Sequence, residues 1–229
     1  MRLIKFVTDK LNFSDLGQPR AIKETMPEWY RLSESTYLNE HGQESAGLKK
    51  CAPYLDALVA GYTLVTPFDI YVSKKKDGTL DIKWDGPPEY ANFIGERPMA
   101  LGENMPRPAG HSHNHLVWSS AWGFKLPRGY SAIMCHPLNR QDLPFTTLAG
   151  IIDADKFAAP GNVPFFIRED FTGVIPAGTP YIQIIPYKRE KWARIIDQSL
   201  IDKISAQGWN VRRKGRSYKS ALWQRKEFK

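Results

Sequence analysis

Leu148-Ala-Gly-Ile-Ile-Asp-Ala-Asp155 and, further along, Pro176-Ala-Gly-Thr-Pro-Tyr-Ile-Gln-Ile-Ile185 carry the clearest structural signal in this chain. Each joins a Gly-containing turn to a β-branched apolar run, the composition of a buried strand. Each also sets one polar side chain, Asp153 or Gln183, where a site could use it. Around them, residues 113–135 and 145–187 are strand-like, with Pro and Gly recurring every eight to ten residues. That spacing marks a sandwich or barrel rather than a β-α-β repeat.

Upstream, the period is two. Phe68, Ile70 and Val72 alternate with Asp69 and Tyr71, and Leu80, Ile82 and Trp84 alternate with Asp81 and Lys83. Asp77-Gly78 between the two runs is a hairpin signal. Residues 58–187 are therefore expected to form one antiparallel, strongly bent β barrel or sandwich, with 68–72, 80–84 and 181–185 supplying core faces. Residues 85–112, rich in Pro and Gly without a sustained period, read as a long inserted loop or lid.

The flanks differ. Residues 1–50 read as an extension with an opening edge strand, a polar loop, a short helix from Pro27 to Leu38 and a polar connection from Gly42 to Gly47. Cys51 to Leu64 holds a short apolar helical turn leading into Ala60-Gly61-Tyr62. After the β core (51–189), Trp192, Ile195, Ile196, Leu200, Ile201 and Ile204 recur at helical spacings. They predict an amphipathic helix from Glu190 to Ala206, closed by Gly208, in a C-terminal segment 190–229. Its apolar stripe must be buried against something.

Composition bounds the function. The chain has 229 residues, is 42% hydrophobic and contains seven tryptophans, which fits a soluble globular protein whose tryptophans serve core and contacts. No apolar run approaches the ~18–20 residues of a membrane span, so no membrane partner is expected. Charges interrupt the opening Met1-Arg-Leu-Ile-Lys-Phe-Val, which argues against a signal peptide. Cys51 and Cys135 form neither a disulfide framework nor a metal pattern, and buried reduced thiols in a cytosolic setting are expected. The net charge is +8, and Arg212 to Lys229 holds eight Lys or Arg against one Glu. This tail can contact phosphates of a nucleic acid or an acidic protein surface, or act as a solubilising terminus. Tyr218, Trp223 and Phe228 within it argue against pure disorder.

Four segments, in order, resemble the trimeric dUTPase and dCTP deaminase family. Ala60-Gly61-Tyr62-Thr63-Leu64 resembles its first motif, with Thr63 where the family has Asp. Leu126-Pro-Arg-Gly-Tyr-Ser-Ala132 resembles the segment before its second motif, but the Arg-Ser-Gly that should follow is replaced by Cys135-His-Pro-Leu-Asn-Arg-Gln141. Gly150 to Asp153 matches the third motif, with Lys156 or Phe157 in place of the sugar-stacking Tyr. Gly178 to Gln183 matches the fourth, and the Gly-rich phosphate arm of the fifth is absent. The resemblance covers roughly residues 58–187. It implies a dUTPase-like fold of the β-clip type, a trimer, and a nucleotide site drawing on Tyr62, Asp153, Asp155 and Gln183, with Mg²⁺ if nucleotide binds. The whole chain is also similar to an uncharacterised family of large T4-type tailed phages and some bacteria. Lys50-Cys-Ala-Pro-Tyr-Leu-Asp-Ala-Leu58, Leu126-Pro-Arg-Gly-Tyr-Ser131, Gly150-Ile-Ile-Asp-Ala-Asp155 and Ile185-Pro-Tyr-Lys-Arg-Glu190 carry that likeness. It implies a phage context, with host or phage proteins as partners and the host cytoplasm or the virion as location.

Asp153 is the one candidate catalytic base, since hydrolysis of a nucleoside triphosphate needs a carboxylate that orients water. The alternative for Asp153 and Asp155 is a pair of turn carboxylates accepting backbone N–H groups. Gln183, inside an apolar strand, faces a ligand, pairs across a subunit boundary or bonds to neighbouring backbone. His111, His113 and His115 would project from one face of a strand, and His136 could complete a metal set of the cupin oxygenase kind. No Glu follows them as cupins require, and a solvated His-rich loop after Pro108-Ala-Gly110 is the plainer reading. With most catalytic positions of the resembled family replaced, the sequence favours a non-enzymatic, oligomeric phage-type protein with a structural or interaction role. A nucleotide-binding or nucleotide-hydrolysing relative comes second, and a metal-dependent oxygenase third.

Overall fold

In the computed structural model, residues 2–8, 17–102, 105–213 and 218–229 are described. The chain opens with β1 (Lys5–Val7), β2 (Arg20–Ala21), α1 (Glu28–Leu32), β3 (Thr36–Leu38), β4 (Glu44–Ala46) and α2 (Ala52–Val59). There follow β5 (Tyr62–Val65), β6 (Ile70–Lys74), β7 (Leu80–Trp84), β8 (Ile94–Glu96), α3 (Met99–Gly102), β9 (Leu116–Ser119) and β10 (Gly123–Lys125). Then come β11 (Tyr130–Cys135), β12 (Phe145–Thr147), β13 (Gly150–Ile152), β14 (Asn162–Ile167), β15 (Gly173–Ile175) and β16 (Pro180–Lys188). The chain finishes with α4 (Ile201–Arg213) and α5 (Tyr218–Ala221).

Two units result. The first combines residues 1–25 and 61–189 with Lys229, and the second combines 26–60 with 190–228. The expected single extension 1–50 is thus divided between them. In the first unit every ladder is antiparallel. A five-stranded sheet runs β13-β11-β16-β5-β2, a four-stranded sheet β12-β14-β9-β8, a three-stranded sheet β15-β6-β7, and β1 pairs with β10 as a separate edge. The protein is mainly β with several open sheets, and among the described residues no sheet closes into a barrel.

The alternating run at 68–84 folds as read. Gly78 supplies the positive φ of the turn, and Phe68, Ile70, Val72 and Leu80 are buried. Strand β16 departs from alternation, because Tyr181, Ile182, Gln183 and Ile184 are all buried. It lies between β11 and β5, so both its edges are paired, and the burial of consecutive residues shows that both its faces are covered as well. Gly61, at φ +81°, is required where β5 begins, since a Cβ there would collide with the Ile184 carbonyl oxygen.

Trp118 of β9 is fully buried at the centre of the aromatic core. It stacks on Phe165 at 3.7 Å between centroids and meets Phe145 and Tyr181 at 5.2 and 4.9 Å. Its indole N–H donates to the Thr147 hydroxyl (3.1 Å), which donates to the Tyr181 carbonyl (2.7 Å). One hydroxyl thereby links the four-stranded sheet to β16.

Residues 85–112 are not the open loop expected. Strand β8 pairs with β9, Tyr90 and Phe93 are buried, and Trp84 donates its indole N–H to the Tyr90 carbonyl (3.0 Å). Phe68 packs against Trp84, Tyr90 and Phe93, so scattered aromatics anchor a stretch that lacks any period.

In the second unit, α1 is shorter than expected. The Ser33 hydroxyl bonds back to the Tyr30 carbonyl where α1 ends, and residues 36–38 pair with 44–46 as a hairpin. Tyr30 is buried and stacks on Tyr54 of α2. Cys51 is exposed, against expectation, and Cys135 is buried, its thiol pushed up to about 11 by burial. The C-terminal helix also begins later than the periodicity implied. Residues 190–197 are irregular, Asp197 caps the Ser199 N–H at 2.9 Å, and α4 starts at Ile201 and runs through Gly208. Helices of this length depend on packing of an apolar face, and Trp192, Ile195 and Ile196 have none. Beyond it, the Trp223 indole N–H and the Lys226 ammonium both bond to Asp56 of α2, at 2.9 and 2.6 Å. The side chains of Arg212 and Arg213 and all of residues 214–217, part of the basic tail, lie outside the described residues.

Thr147→Val keeps the shape but leaves the Trp118 N–H and the Tyr181 carbonyl buried without partners. It is expected to cost about 2–4 kcal/mol in urea unfolding, whereas Thr147→Ser, which keeps the hydroxyl, costs about 1. Equal losses for the two variants would refute the hydroxyl link.

Candidate functional site

The register of β11 with its two neighbours brings the candidate carboxylates to one place. Ala132 faces Ile152 and Tyr130 faces Lys188, so Ser131, Asp153 and Arg189 converge where the three strands end. The Lys156 and Phe157 N–H groups close a turn onto the Asp153 carbonyl. Ala154 is buried in that turn, between the two aspartates. The Arg189 guanidinium reaches the Tyr130 carbonyl (3.0 Å), the Ser131 hydroxyl (2.9 Å), Asp153 (3.1 Å) and both oxygens of Asp155. Asp155 also accepts the Gly129 N–H at 2.8 Å, and Asp153 the Ser131 hydroxyl at 2.6 Å.

The electrostatics follow. The Arg189 contact, with the Gly129 N–H, holds Asp155 far below the usual carboxylate range. The Ser131 hydroxyl, then the charge of Arg189, lowers Asp153. A proton acceptor at neutral pH needs the opposite, a pKa raised toward the working pH. These carboxylates are arranged to stay ionised and hold a cation, which in this fold is Arg189.

Gln183 lies elsewhere on the same sheet. It pairs with Cys135, four residues along β11 from Ser131, about 13 Å away at strand rise. Its amide oxygen accepts the Leu138 N–H at 2.7 Å, one of the alternatives read from the sequence, and fixes the loop after β11. Thr63, at the position of the family's Asp, is buried with its hydroxyl 2.8 Å from the Ile182 carbonyl. Tyr62 donates to the Lys229 carbonyl (3.1 Å) and meets the edge of Phe6, and burial raises its pKa.

The histidines do not share a strand face. His111 forms an isolated bridge with Arg168, and the Ser112 hydroxyl accepts the Asn114 N–H to bend the chain, so β9 starts only at Leu116. His113 is exposed. His115 is buried, stacked on Phe166, with no partner for either ring nitrogen among the described residues. Burial, then the nearby Arg97 charge, lowers its pKa. His136 accepts the Thr147 N–H and lies 3.0 Å from the Arg140 carbonyl, and burial lowers its pKa too. Among the described residues no group of three or more His, Cys, Asp or Glu is arranged to hold a metal ion.

Two hollows of about 490 Å³ each share Leu143, Arg168 and Asp170. One continues over Phe171, Val174 and Pro176, and the other reaches His111, His136 and Thr146. Arg168 grips Asp170 through two bonds at 3.1 and 2.8 Å, and Arg140 grips Asp142 in the same way while reaching the Thr25 carbonyl. His111 lies 3.0 Å from both the Ala109 carbonyl and the Thr146 hydroxyl. Several polar groups of the groove are thus engaged with one another. Asp170 occupies the Nε and Nη2 side of the Arg168 guanidinium and leaves the Nη1 side open.

The sequence does not single out Arg189 as a site residue, because it acquires its partners from strand register, and Arg168 pairs locally with Asp170 without any motif to mark it. No protein-family model and no curated protein matches the chain.

Acid should weaken the fold in two stages. His115 and His136 have folded pKa values below the unfolded ~6.5, so the unfolded chain binds protons first and stability falls as pH drops through that value. Asp153 and Asp155 are lowered, so their contribution is complete above ~4 and is lost as pH falls below it. Urea midpoints measured against pH should show both steps. His115→Phe is expected to shrink the first, and Arg189→Gln to lower the midpoint at pH 7 and shrink the second. Unchanged profiles in both variants would contradict these assignments.

Proposed function

We propose that this chain is a non-enzymatic protein on a dUTPase-like β fold, acting as an oligomer in a structural or protein-interaction role. The observation that carries this reading is Arg189. It occupies the carboxylates at the position of the resembled family's catalytic Asp, with Asp155 engaged through both oxygens. Thr63 and Gln183, the other positions carried over, are used in backbone hydrogen bonds. The phage setting, in host cytoplasm or virion, is what the second resemblance adds.

Assembly is supported by the five-stranded sheet. β13 is an open edge, and Ile151, Ile133 and Ile185 stand opposite one another across β13, β11 and β16, with Ile151 and nearby Phe157 exposed. An open edge beside a β-branched apolar row suits strand addition by a second chain. A trimer is the stoichiometry the dUTPase resemblance implies.

A nucleotide-binding relative is the second reading, favoured by the paired hollows beside Arg168. Phosphate release and deamination with Mg²⁺ across the common deoxynucleotides separate the two. No turnover is expected, and turnover abolished by Asp153→Asn would sink the non-enzymatic reading. Micromolar binding by calorimetry, about −8 kcal/mol, lost in Arg168→Ala would favour the second. Light scattering should show an oligomer that Ile151→Lys dissociates, and a monomeric wild type would remove the assembly claim.

A further inference from the structure

The apolar side chains of residues 190–209 remain without cover. Trp192, Ile195 and Ile196 are 87, 81 and 80% exposed, and Leu200, Ile201, Ile204 and Trp209 are exposed as well. Their periodicity starts at Trp192, yet the α-helix starts at Ile201. As a helix, residues 191–204 would set Trp192, Ile195, Ile196, Leu200 and Ile204 along one side, with Ser199 and Lys203 among them, and Arg194, Asp197, Gln198, Ile201 and Asp202 along the other. The sequence is patterned for a helix that lacks a surface to fold on.

Charge decides what that surface is. Residues 190–229 hold eleven Lys or Arg and four Asp or Glu, while residues 1–189 are close to neutral at twenty-one against twenty. We infer that the 190–209 segment, with the basic run after it, binds the surface of an anionic lipid bilayer, lying in the headgroup plane. Hydrocarbon and negative charge sit side by side there, and an apolar face followed by cations matches both. A second copy covering this face would bring an equally basic tail beside the first, against like-charge repulsion. Nucleic acid would answer the cations and leave the isoleucines without a partner. No helix among the described residues is long and apolar enough to cross a membrane, and binding in the headgroup plane requires none. This inference is independent of whether the Asp153 region or the groove binds a ligand.

The test is cosedimentation of the full chain with phosphatidylcholine vesicles, pure or containing about one-third phosphatidylserine. Binding to the anionic vesicles is expected to exceed binding to pure phosphatidylcholine at least tenfold, to fall with added salt, and to bring a gain in helical circular dichroism from residues 190–200. Ile195→Asp with Ile196→Asp should lower it at least tenfold while the thermal unfolding of the chain is unchanged. Absence of lipid-dependent pelleting overturns the inference, as does pelleting that the double variant retains. Without vesicle binding, self-association lost in the double variant assigns the face to a second copy. Salt-sensitive DNA binding that the variant keeps assigns the tail to nucleic acid.

Discussion

Everything in the β unit is arranged around one buried indole. Trp118 needs an acceptor for its N–H in a region where water cannot serve, and Thr147 is the side chain that supplies it. Because that hydroxyl donates onward to Tyr181, satisfying the tryptophan also fixes the four-stranded sheet against the five-stranded one. The aromatic rings then have little freedom. Phe165 lies flat on the indole, Phe145 meets its edge and Phe93 closes from β8's side, so the pieces of chain bearing these residues are held in register with it. His136 joins the same arrangement by accepting the Thr147 N–H, which ties the rim of the groove to the centre of the core.

The sequence was legible where local chemistry decides conformation. Asp77-Gly78 and the alternation around it gave the β6–β7 hairpin, and the Pro and Gly spacing gave short antiparallel strands. It was illegible where partners decide. Nothing within residues 85–112 says that Tyr90 and Phe93 bury themselves against Phe68, because the aromatic cluster exists only once three segments meet. The helix expected from Glu190 failed for the converse reason: its period was present and its packing surface was not. Asp153 and Asp155 could be placed in a turn from sequence, but Arg189, which defines their chemistry, lies more than thirty positions away and arrives through the pairing of β11 with β16.

The shifts of the aspartates favour ion pairing over proton transfer at these positions. A working acid–base pair holds one partner near neutrality by desolvation or like charge. Here each resolved shift of an aspartate is downward, and Arg189 is raised in step with its two carboxylate partners. Arg140 and Arg168 face carboxylates two residues along their own loops, and Arg189 faces the two that follow β13. Such pairs fix loop conformation and leave little unbalanced charge for a substrate. The excess positive charge resides instead beyond residue 189.

The second unit is assembled from two stretches of chain, 26–60 and 190–228, with the whole β body encoded between them. Asp56 meets its partners Trp223 and Lys226 across separations of 167 and 170 residues. On the ribosome, α2 must therefore wait through synthesis of the entire β body before its partners emerge. Closing so long a loop in an unfolded chain carries a large entropic cost, which grows with the logarithm of loop length. Prior folding of residues 61–189 removes most of that cost by fixing the distance between the two ends. The chain path therefore favours an order in which the β unit forms first and the second unit last.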